Sequence, residues 1–383
     1  MGSYPTLDAD DVRATFDSVQ SLTVGIEEET MLLDAESLDL LPRAAEVVRR
    51  ARDPRFKLEL PAAQLEIVLP PTATVPEGIA ALRTARRDLV AAAEGIGVVA
   101  AAGAHPFASP LGELNRGERH RAIGRSYGRV AQMQLVGAHQ IHVAVGGHAR
   151  TLAVYNALRS HLPEIAALAA NAPFYAGADT GLASVRPKIC DLLPRQGVPP
   201  VIPSWDAYAD ALRWGANAGA LPTPGGWWWE LRPHPVHGTL EVRVPDAQAT
   251  VDDAAAVTAV VHALVGRLSA LHDAGELAAP AATWRIEENR WSACRDGLDA
   301  VFADLATGRR TPVRELLAER LEQLAPTAAE LGCAVELEDA RRLLRANGAE
   351  RQRAEAGDNP RAAARWLVGA YSPAGAVAAA ADG

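Results

Sequence analysis

Residues 21–33 read SLTVGIEEETMLL and place three consecutive glutamates inside an apolar stretch that is rich in β-branched residues. This composition predicts a β-strand, in which side chains alternate between two faces. Glu27 and Glu29 then share one face and Glu28 points to the other, so exchange of Glu28 should matter much less for function. Two carboxylates that lie about 7 Å apart on one face repel each other if they are buried without cations.

Two explanations fit this acidic strand. One is a solvated edge strand that carries surface charge. The other is a cation site, because Mg²⁺ binds a few carboxylate oxygens and keeps its water ligands for substrate phosphates. The apolar residues on both sides, among them Val24, Ile26 and Leu33, argue against full solvation and favour the cation site.

A second acidic strand follows in QLEIVL, residues 64–69. Gln64 and Glu66 share one face of it, while aliphatic side chains occupy the other face. Glu59 lies seven residues earlier, beyond Pro61, in a separate extended piece. A lone carboxylate on a strand is usually a rim residue, but two more beside the first acidic strand strengthen the prediction of a cation site.

The segment AHQIHVAVG, residues 138–146, predicts a further strand with Gln140 and His142 on one face. A single histidine on a strand is more often structural than a ligand, so His142 gains weight only from its acidic company. His234 and His237 lie in a loop between two later strands, and we expect neither to be a ligand.

Those later strands form the predicted hairpin WWWELRPHPVHGTLEVRV, residues 227–244. Glu230 and Arg232 share a face of one strand, and Glu241 and Arg243 share a face of the other. If the strands pair, four charges of alternating sign meet on one side of a sheet. They form either a salt-bridge ladder or a set of carboxylates for metal and guanidiniums for phosphate.

The composition excludes several classes of protein. The chain has 383 residues, 49% of them hydrophobic, and a formal net charge of −9, which argues against a nucleic-acid partner. No signal peptide and no run of about 18 apolar residues are present, so we expect no membrane partner.

The cysteines, Cys190, Cys294 and Cys333, are too scattered for disulfides or zinc, which predicts a cytoplasmic protein without a catalytic thiol. P-loop, Rossmann, zinc-protease and serine-hydrolase motifs are absent.

The remaining pattern predicts an α+β fold with a mostly antiparallel sheet. A short strand is expected at 98–106. Helices are expected at 40–52, 76–97, 118–136, about 151–170, 205–214 and 251–274, and throughout the chain after about 280. The expected organisation is an N-terminal extension (1–20), a single catalytic domain (21–370) and a flexible C-terminal tail (371–383).

Six blocks of the sequence, in order, resemble a known family. They are VGIEEETMLL (24–33), QLEIVLPP (64–71), HVAV (142–145), NAPFYAGADTGLASVR (171–186), TLEVRVPD (239–246) and ENRWSACRDGLDA (288–300). Together they are similar to the carboxylate–amine ligase family, the type 2 glutamate–cysteine ligases, over roughly residues 20–370.

The resemblance implies a glutamine-synthetase-like fold, in which a curved, mostly antiparallel sheet forms an active-site funnel backed by helices. It implies an ADP-forming ligase that uses ATP and Mg²⁺ or Mn²⁺ and joins a carboxylate to an amine through an acyl phosphate. The donor is typically the γ-carboxylate of glutamate, and the acceptor is cysteine or another amine.

The resemblance also implies roles for individual residues. The expected metal ligands are Glu27, Glu29, Glu59, Glu66, His142 and Glu241. The expected catalytic residues are Arg243, Arg232 and Glu66, and the expected nucleotide-binding residues are Arg243, Arg186 and His142. Departures from the family pattern at His139–Gln140, Pro187 and Pro245 leave the amine and the acid open.

Alternatives remain at this stage. A specialised ligase would use a non-cysteine amine or a non-glutamate acid. A metal-dependent amidohydrolase would use the same carboxylates and histidine to activate water, but it would leave Arg232 and Arg243 without a task. A relative that only binds nucleotide would have lost carboxylates, and none of the matched ones is lost. A homodimer is a possible assembly.

Overall fold

The computed structural model describes residues 8–221, 226–357 and 359–372. The helices are α1 (Ala9–Asp17), α2 (Ala44–Ala51), α3 (Val75–Ala93), α4 (Glu118–Tyr127), α5 (Arg129–Gln132), α6 (His148–Leu158), α7 (Leu162–Leu168), α8 (Arg186–Cys190), α9 (Trp205–Asn217), α10 (Val251–Asp273), α11 (Thr283–Asp296), α12 (Val313–Glu330), α13 (Ala334–Arg345), α14 (Gly348–Ala356) and α15 (Pro360–Tyr371). The strands are β1 (Val24–Leu33), β2 (Phe56–Leu58), β3 (Gln64–Val68), β4 (Val98–Ala100), β5 (His139–Val143), β6 (Phe174–Tyr175), β7 (Ala178–Asp179), β8 (Leu231–His234), β9 (Thr239–Val242), β10 (Val301–Ala303) and β11 (Arg310–Pro312).

Strand β1 lies inside a seven-stranded sheet whose main order is β2-β3-β1-β5-β9-β8, with β4 also paired to β1. Every pairing between these strands is antiparallel, which confirms the predicted α+β class. The register places Glu29 opposite Glu66, Glu27 opposite Gln140, and Glu241 opposite both His142 and Arg232. Residues that face each other across strands share a sheet face, so backbone pairing alone gathers these polar side chains.

The opposite face of the sheet carries the hydrophobic core. Side chains such as Ile26, Leu65, Ile141 and Val242 are at most 1% exposed there. Helix α10 packs behind the sheet; by length and composition it could cross a membrane, yet 83% of its most apolar window is buried within the protein. That burial is the property of a core helix.

Several predicted boundaries were wrong. The helix expected at 118–136 is two helices, because Gly128 adopts a positive φ of 56° between α4 and α5. The strand expected at 98–106 ends at Ala100. The helical region after 280 also contains the hairpin β10–β11. Each error is a matter of local backbone geometry that hydrophobic periodicity does not encode.

Both ends of the described chain contribute to the core, although the sequence predicted an N-terminal extension and a flexible C-terminal tail. Helix α1, inside residues 1–20, buries Val12 and Phe16 completely in the core. Helix α15 continues to Tyr371, which is also buried. The rest of the predicted tail, residues 373–383, lies outside the described residues. The boundaries of the catalytic domain therefore remain a prediction.

Candidate active site

The six predicted metal ligands form two groups on the polar face of the sheet. The first triad is Glu27, His142 and Glu241, and the second triad is Glu29, Glu59 and Glu66. Within each triad, one potential ligand atom from each residue lies within 4.8 Å of the others. All six side chains that the family pattern singles out are thus brought together in threes.

In the second triad, strands and a loop converge. Glu29 on β1 faces Glu66 on β3, and Glu59 comes from the connection between β2 and β3. The two carboxylate oxygens of Glu29 accept hydrogen bonds from Gln140 Nε2, at 2.8 Å, and from the backbone N–H of Ala138, at 2.7 Å. These amide donors orient the carboxylate without neutralising it.

Nearby arginines, among them Arg243, only partly balance the charges of the second triad. Burial and the neighbouring Glu59 raise the pKa of Glu29 to about 7. Burial, with Glu59, Glu27 and Glu29 beside it, also raises the pKa of Glu66 well above its usual value, and burial raises that of Glu59. Three desolvated carboxylates that resist joint ionisation are a strong electrostatic trap for a cation.

The first triad contains an imidazole that is held in place. His142 Nδ1 is hydrogen-bonded to Thr239 Oγ1 at 2.9 Å. Its Nε2 is buried and has no hydrogen-bond partner among the described residues; it lies 3.5 Å from Glu27 Oε1 and 3.9 Å from Glu241 Oε2. In metal-binding histidines, a hydrogen bond on the ring nitrogen that does not bind the metal fixes the orientation of the ring. The orphaned nitrogen between two carboxylates fits a divalent cation such as Mg²⁺ or Mn²⁺.

Two arginines hold Glu241. Arg232 donates from Nε and Nη2 to the two carboxylate oxygens, at 2.6 and 3.0 Å, and Arg243 Nη1 donates to Oε1 at 2.5 Å. Glu241 is fully buried, which by itself would raise its pKa, but Arg232, Arg243 and His142 together hold the pKa well below its usual value. Glu241 is therefore an anion at neutral pH.

Arg243 also reaches towards the second triad. Its Nη1 donates to Gln140 Oε1, and Gln140 Nε2 in turn donates to Glu29. Gln140 thereby connects Arg243 to Glu29 across β5. Sequence analysis placed Gln140 on the correct face but assigned it no role; its position two residues before His142 was the available signal.

Arg186 and Glu230 both contact the backbone of Arg243. Arg186 donates to the backbone carbonyls of Arg243 and Val244, at 3.0 and 3.2 Å. Here it supports the backbone of Arg243, so its expected role in nucleotide binding remains a prediction. Glu230 does not join the predicted row of four charges; it forms a buried ion pair with Arg290 of α11, at 2.6 Å.

The sequence predicted His234 and His237 in a loop, but His234 is the last residue of β8, and His237 lies in the turn that follows. The rings of His234 and His237 stack on each other at 4.2 Å and lie 5.7 and 6.0 Å from the ring of His142. In the part of the chain that the structure describes, neither belongs to a triad. Burial raises the pKa of the thiols of Cys190, Cys294 and Cys333 to about 11, so they stay protonated at neutral pH.

Fold and site together define a class: an antiparallel α+β protein with two triads and Arg243 on one face of its sheet. Among solved structures, a glutamate–cysteine ligase from Francisella tularensis in complex with AMP superimposes with a TM-score of 0.68 at 11% identity, covering 91% of this chain and 88% of that one. A bifunctional glutathione synthetase from Pasteurella multocida gives a TM-score of 0.64 at 14% identity, covering 94% and 53%. At such identities the similarity establishes the fold.

The sequence comparisons give the family. The sequence model of glutamate–cysteine ligase family 2 matches residues 23–356. A Rubrobacter xylanophilus protein, provisionally named glutamate–cysteine ligase 2-3, is 38% identical over 340 residues, which is 87% of this chain and 92% of that protein. A Corynebacterium glutamicum protein, provisionally named glutamate–cysteine ligase 2, is 35% identical over 341 residues, covering 86% and 90%. The chain belongs to glutamate–cysteine ligase family 2, which confirms the resemblance seen in the sequence.

Proposed function

We propose that this protein is an ATP-dependent carboxylate–amine ligase that works with Mg²⁺ or Mn²⁺. The observation that carries the proposal is that two carboxylate-rich triads and Arg243 lie together on one face of the sheet. Membership of a family named for ligase activity supports the reaction class. The amidohydrolase alternative gives no reason for a buried anion, Glu241, that fixes two arginines.

The chemistry follows from the charges. An attacking carboxylate is repelled by the phosphates of ATP, and divalent cations held by the two triads would neutralise that charge. Arg243, fixed between Glu241 and Gln140, adds a positive charge at the same face, and Arg232 keeps Glu241 ionised and in place. Such preorganised charge lowers the barrier because it needs no rearrangement during the reaction.

The proposed reaction has two steps. An oxygen of the acid's carboxylate attacks the γ-phosphorus of ATP, the bond to the β–γ bridging oxygen breaks, and ADP leaves. The amine nitrogen then attacks the carbonyl carbon of the acyl phosphate, phosphate leaves, and the nitrogen loses a proton. The names of the relatives support glutamate as the acid and cysteine as the amine, and another amine fits the same chemistry.

The proposal covers the setting of the enzyme as well. We infer a cytoplasmic protein with a single catalytic domain (21–370) and small-molecule substrates, without a nucleic-acid or membrane partner. It leaves room for a homodimer.

The test is release of ADP, measured with glutamate and a panel of amines that includes cysteine. With ¹⁸O in the carboxylate of the acid, label must appear in the released phosphate, because the acyl-phosphate oxygen leaves with phosphorus. Amide formation with unlabelled phosphate would contradict the mechanism, and absence of ADP release with every acid and amine would contradict the ligase.

A further inference from the structure

Glu59 differs from the other five triad residues in its support. Glu27, Glu29, Glu66, His142 and Glu241 lie on strands whose positions are fixed by backbone pairing. Glu59 lies in the connection between β2 and β3, outside any strand. Its carboxylate faces two like charges of its own triad, which would push a freely moving loop away from the sheet. Something must hold this loop in place.

Asn115 holds this loop through hydrogen bonds to its backbone. Its side-chain Nδ2 donates to the backbone carbonyl of Glu59, at 2.7 Å, and to that of Pro61, at 3.0 Å. Its backbone N–H donates to the carbonyl of Leu60 at 2.9 Å. Three consecutive carbonyls of the loop thus accept hydrogen bonds from one residue. Asn115 is 5% exposed, so these bonds are shielded from water.

The contact leaves the carboxylate of Glu59 available. Among the described residues, the hydrogen bonds from Asn115 to the loop go to its main chain. The carboxylate of Glu59 accepts a hydrogen bond from the N–H of Leu60 at 3.1 Å. A residue that paired with the carboxylate itself would compete with a cation. Support through the backbone fixes the direction of the side chain and keeps its charge for a ligand.

We propose that Asn115 is a positioning residue that fixes Glu59 as a ligand of the second triad. The inference rests on the proposed function, since it assumes that the triads bind divalent cations. It goes further in stating that the two triads depend on different supports: loss of Asn115 should weaken the cation of Glu29, Glu59 and Glu66 and leave that of Glu27, His142 and Glu241 in place.

The chain offers a matched control in Asn156 on α6. It is also buried, and it also fixes a loop through the backbone, donating to the carbonyl of Ile202 at 2.8 Å and accepting from its N–H at 3.0 Å. It has no place in either triad. Asn156→Ala therefore reports what loss of a buried asparagine does to the fold alone.

The experiment is titration of Mn²⁺ without nucleotide, followed by calorimetry and by electron paramagnetic resonance. Wild type and Asn156→Ala should bind two ions per chain. Asn115→Ala should bind one of them roughly 10–100-fold more weakly, as changes behind a metal ligand do. Glu59→Gln should weaken the same ion, and combining it with Asn115→Ala should add little further loss, since both act on one ligand.

The outcomes separate the two claims. Two Mn²⁺ ions bound by folded Asn115→Ala with wild-type affinity would overturn the role of Asn115 and leave the proposed function intact. Wild-type protein that bound no Mn²⁺ would overturn the proposed function and this inference together. If the alanine variant does not fold, Asn115→Ser, which keeps one donor, takes its place and should show a smaller loss at the same ion; an unchanged ion would again overturn the proposal.

Discussion

Glu28 and Glu29 are neighbours on β1, yet the two faces of that strand treat their charges in opposite ways. Glu28 is fully buried and paired with Arg86, whose Nε and Nη2 donate to its carboxylate at 3.0 and 2.5 Å. Arg86 also donates to the carbonyls of Gln248 and Ala249, and the ring of Tyr371 lies 4.3 Å from it. Among the described residues, the hydrogen bonds that Glu29 accepts come from amide groups, those of Ala138 and Gln140.

The difference shows how one sequence motif serves two purposes. A carboxylate with its own buried counter-ion is complete when the chain folds, and it ties β1 to α3. A carboxylate without a paired counter-ion of its own, such as Glu29, is incomplete, and a cation from solution would complete it. The apolar face of β1 is thus closed, and the polar face is open to ligands.

The largest expected effect comes from breaking the ion pair between Glu28 and Arg86 on the closed face. Glu28→Gln leaves the charge of Arg86 buried without a counter-ion, which should lower the free energy of unfolding by about 3–5 kcal/mol. Urea denaturation measures this, with exchange of the exposed Glu338 to Gln as control. A loss below about 1 kcal/mol would show that the pair with Arg86 is not the main support of this face.

Glu29→Gln should lower activity and leave the fold stable, the reverse of what is expected for Glu28→Gln. It removes one ligand charge from the open face, so activity should fall by about 10²-fold or more, roughly 3 kcal/mol of transition-state stabilisation. The fold should remain, because no buried counter-ion is stranded. Steady-state kinetics beside urea denaturation checks both halves. Loss of folding with little loss of specific activity would reverse the assignment of the two faces.

Arg243→Lys sharpens the account of the open face. Lysine keeps the positive charge but lacks the planar guanidinium, whose Nη1 donates to both Glu241 and Gln140 and whose other nitrogens remain for a phosphate. We expect about a tenfold loss in kcat/KM for ATP, near 1.4 kcal/mol. The control is Arg213→Lys, an exposed site on α9, which should retain activity. Equal activity of both variants would remove Arg243 from the phosphate contact.

The pH dependence of stability tests the open face without substrate. The pKa of Glu29 is raised to about 7, so the metal-free folded state binds more protons than the unfolded state between about pH 4.5 and 7. The contribution of Glu29 to the stability of the folded state is therefore present at low pH and lost as the pH rises through that window.

A variant isolates this contribution. In EDTA, Glu29→Gln should match wild type near pH 4.5 and exceed it in melting temperature by several degrees at pH 8. Buried neutral histidines such as His139, whose pKa burial lowers to about 3, act in both proteins and cancel in the difference. A difference that is independent of pH would contradict the raised pKa of Glu29.

The open face could be predicted from the sequence to a useful extent, and the closed face could not. Strand periodicity alone gives the shared face of Glu27 and Glu29, since alternation is a local property. The expectation that Glu28 matters little follows from the same rule and holds only for a role in the site. Its stabilising partner, Arg86, lies 58 residues away on α3, and no local pattern connects them.

The supporting residues show the same limit. Arg290 joins Glu230 from α11, and Asn115 reaches Glu59 from a loop before α4. These contacts depend on how distant elements pack, which alternation and helical periodicity leave undetermined. Thr239, by contrast, shares a face with Glu241 two residues later, so its contact with His142 was within reach once the hairpin was paired with β5.

The central claim is that divalent cations complete the open face of β1 and that ATP binding depends on them. Calorimetric titration of ATP into the wild-type protein, once in EDTA and once in excess Mg²⁺, tests it directly. We expect tight binding with Mg²⁺ and at least a hundredfold weaker binding in EDTA, because the carboxylates of both triads would then face the phosphates unshielded, a difference of about 2.7 kcal/mol or more. Equal ATP affinity in the two buffers would contradict the claim.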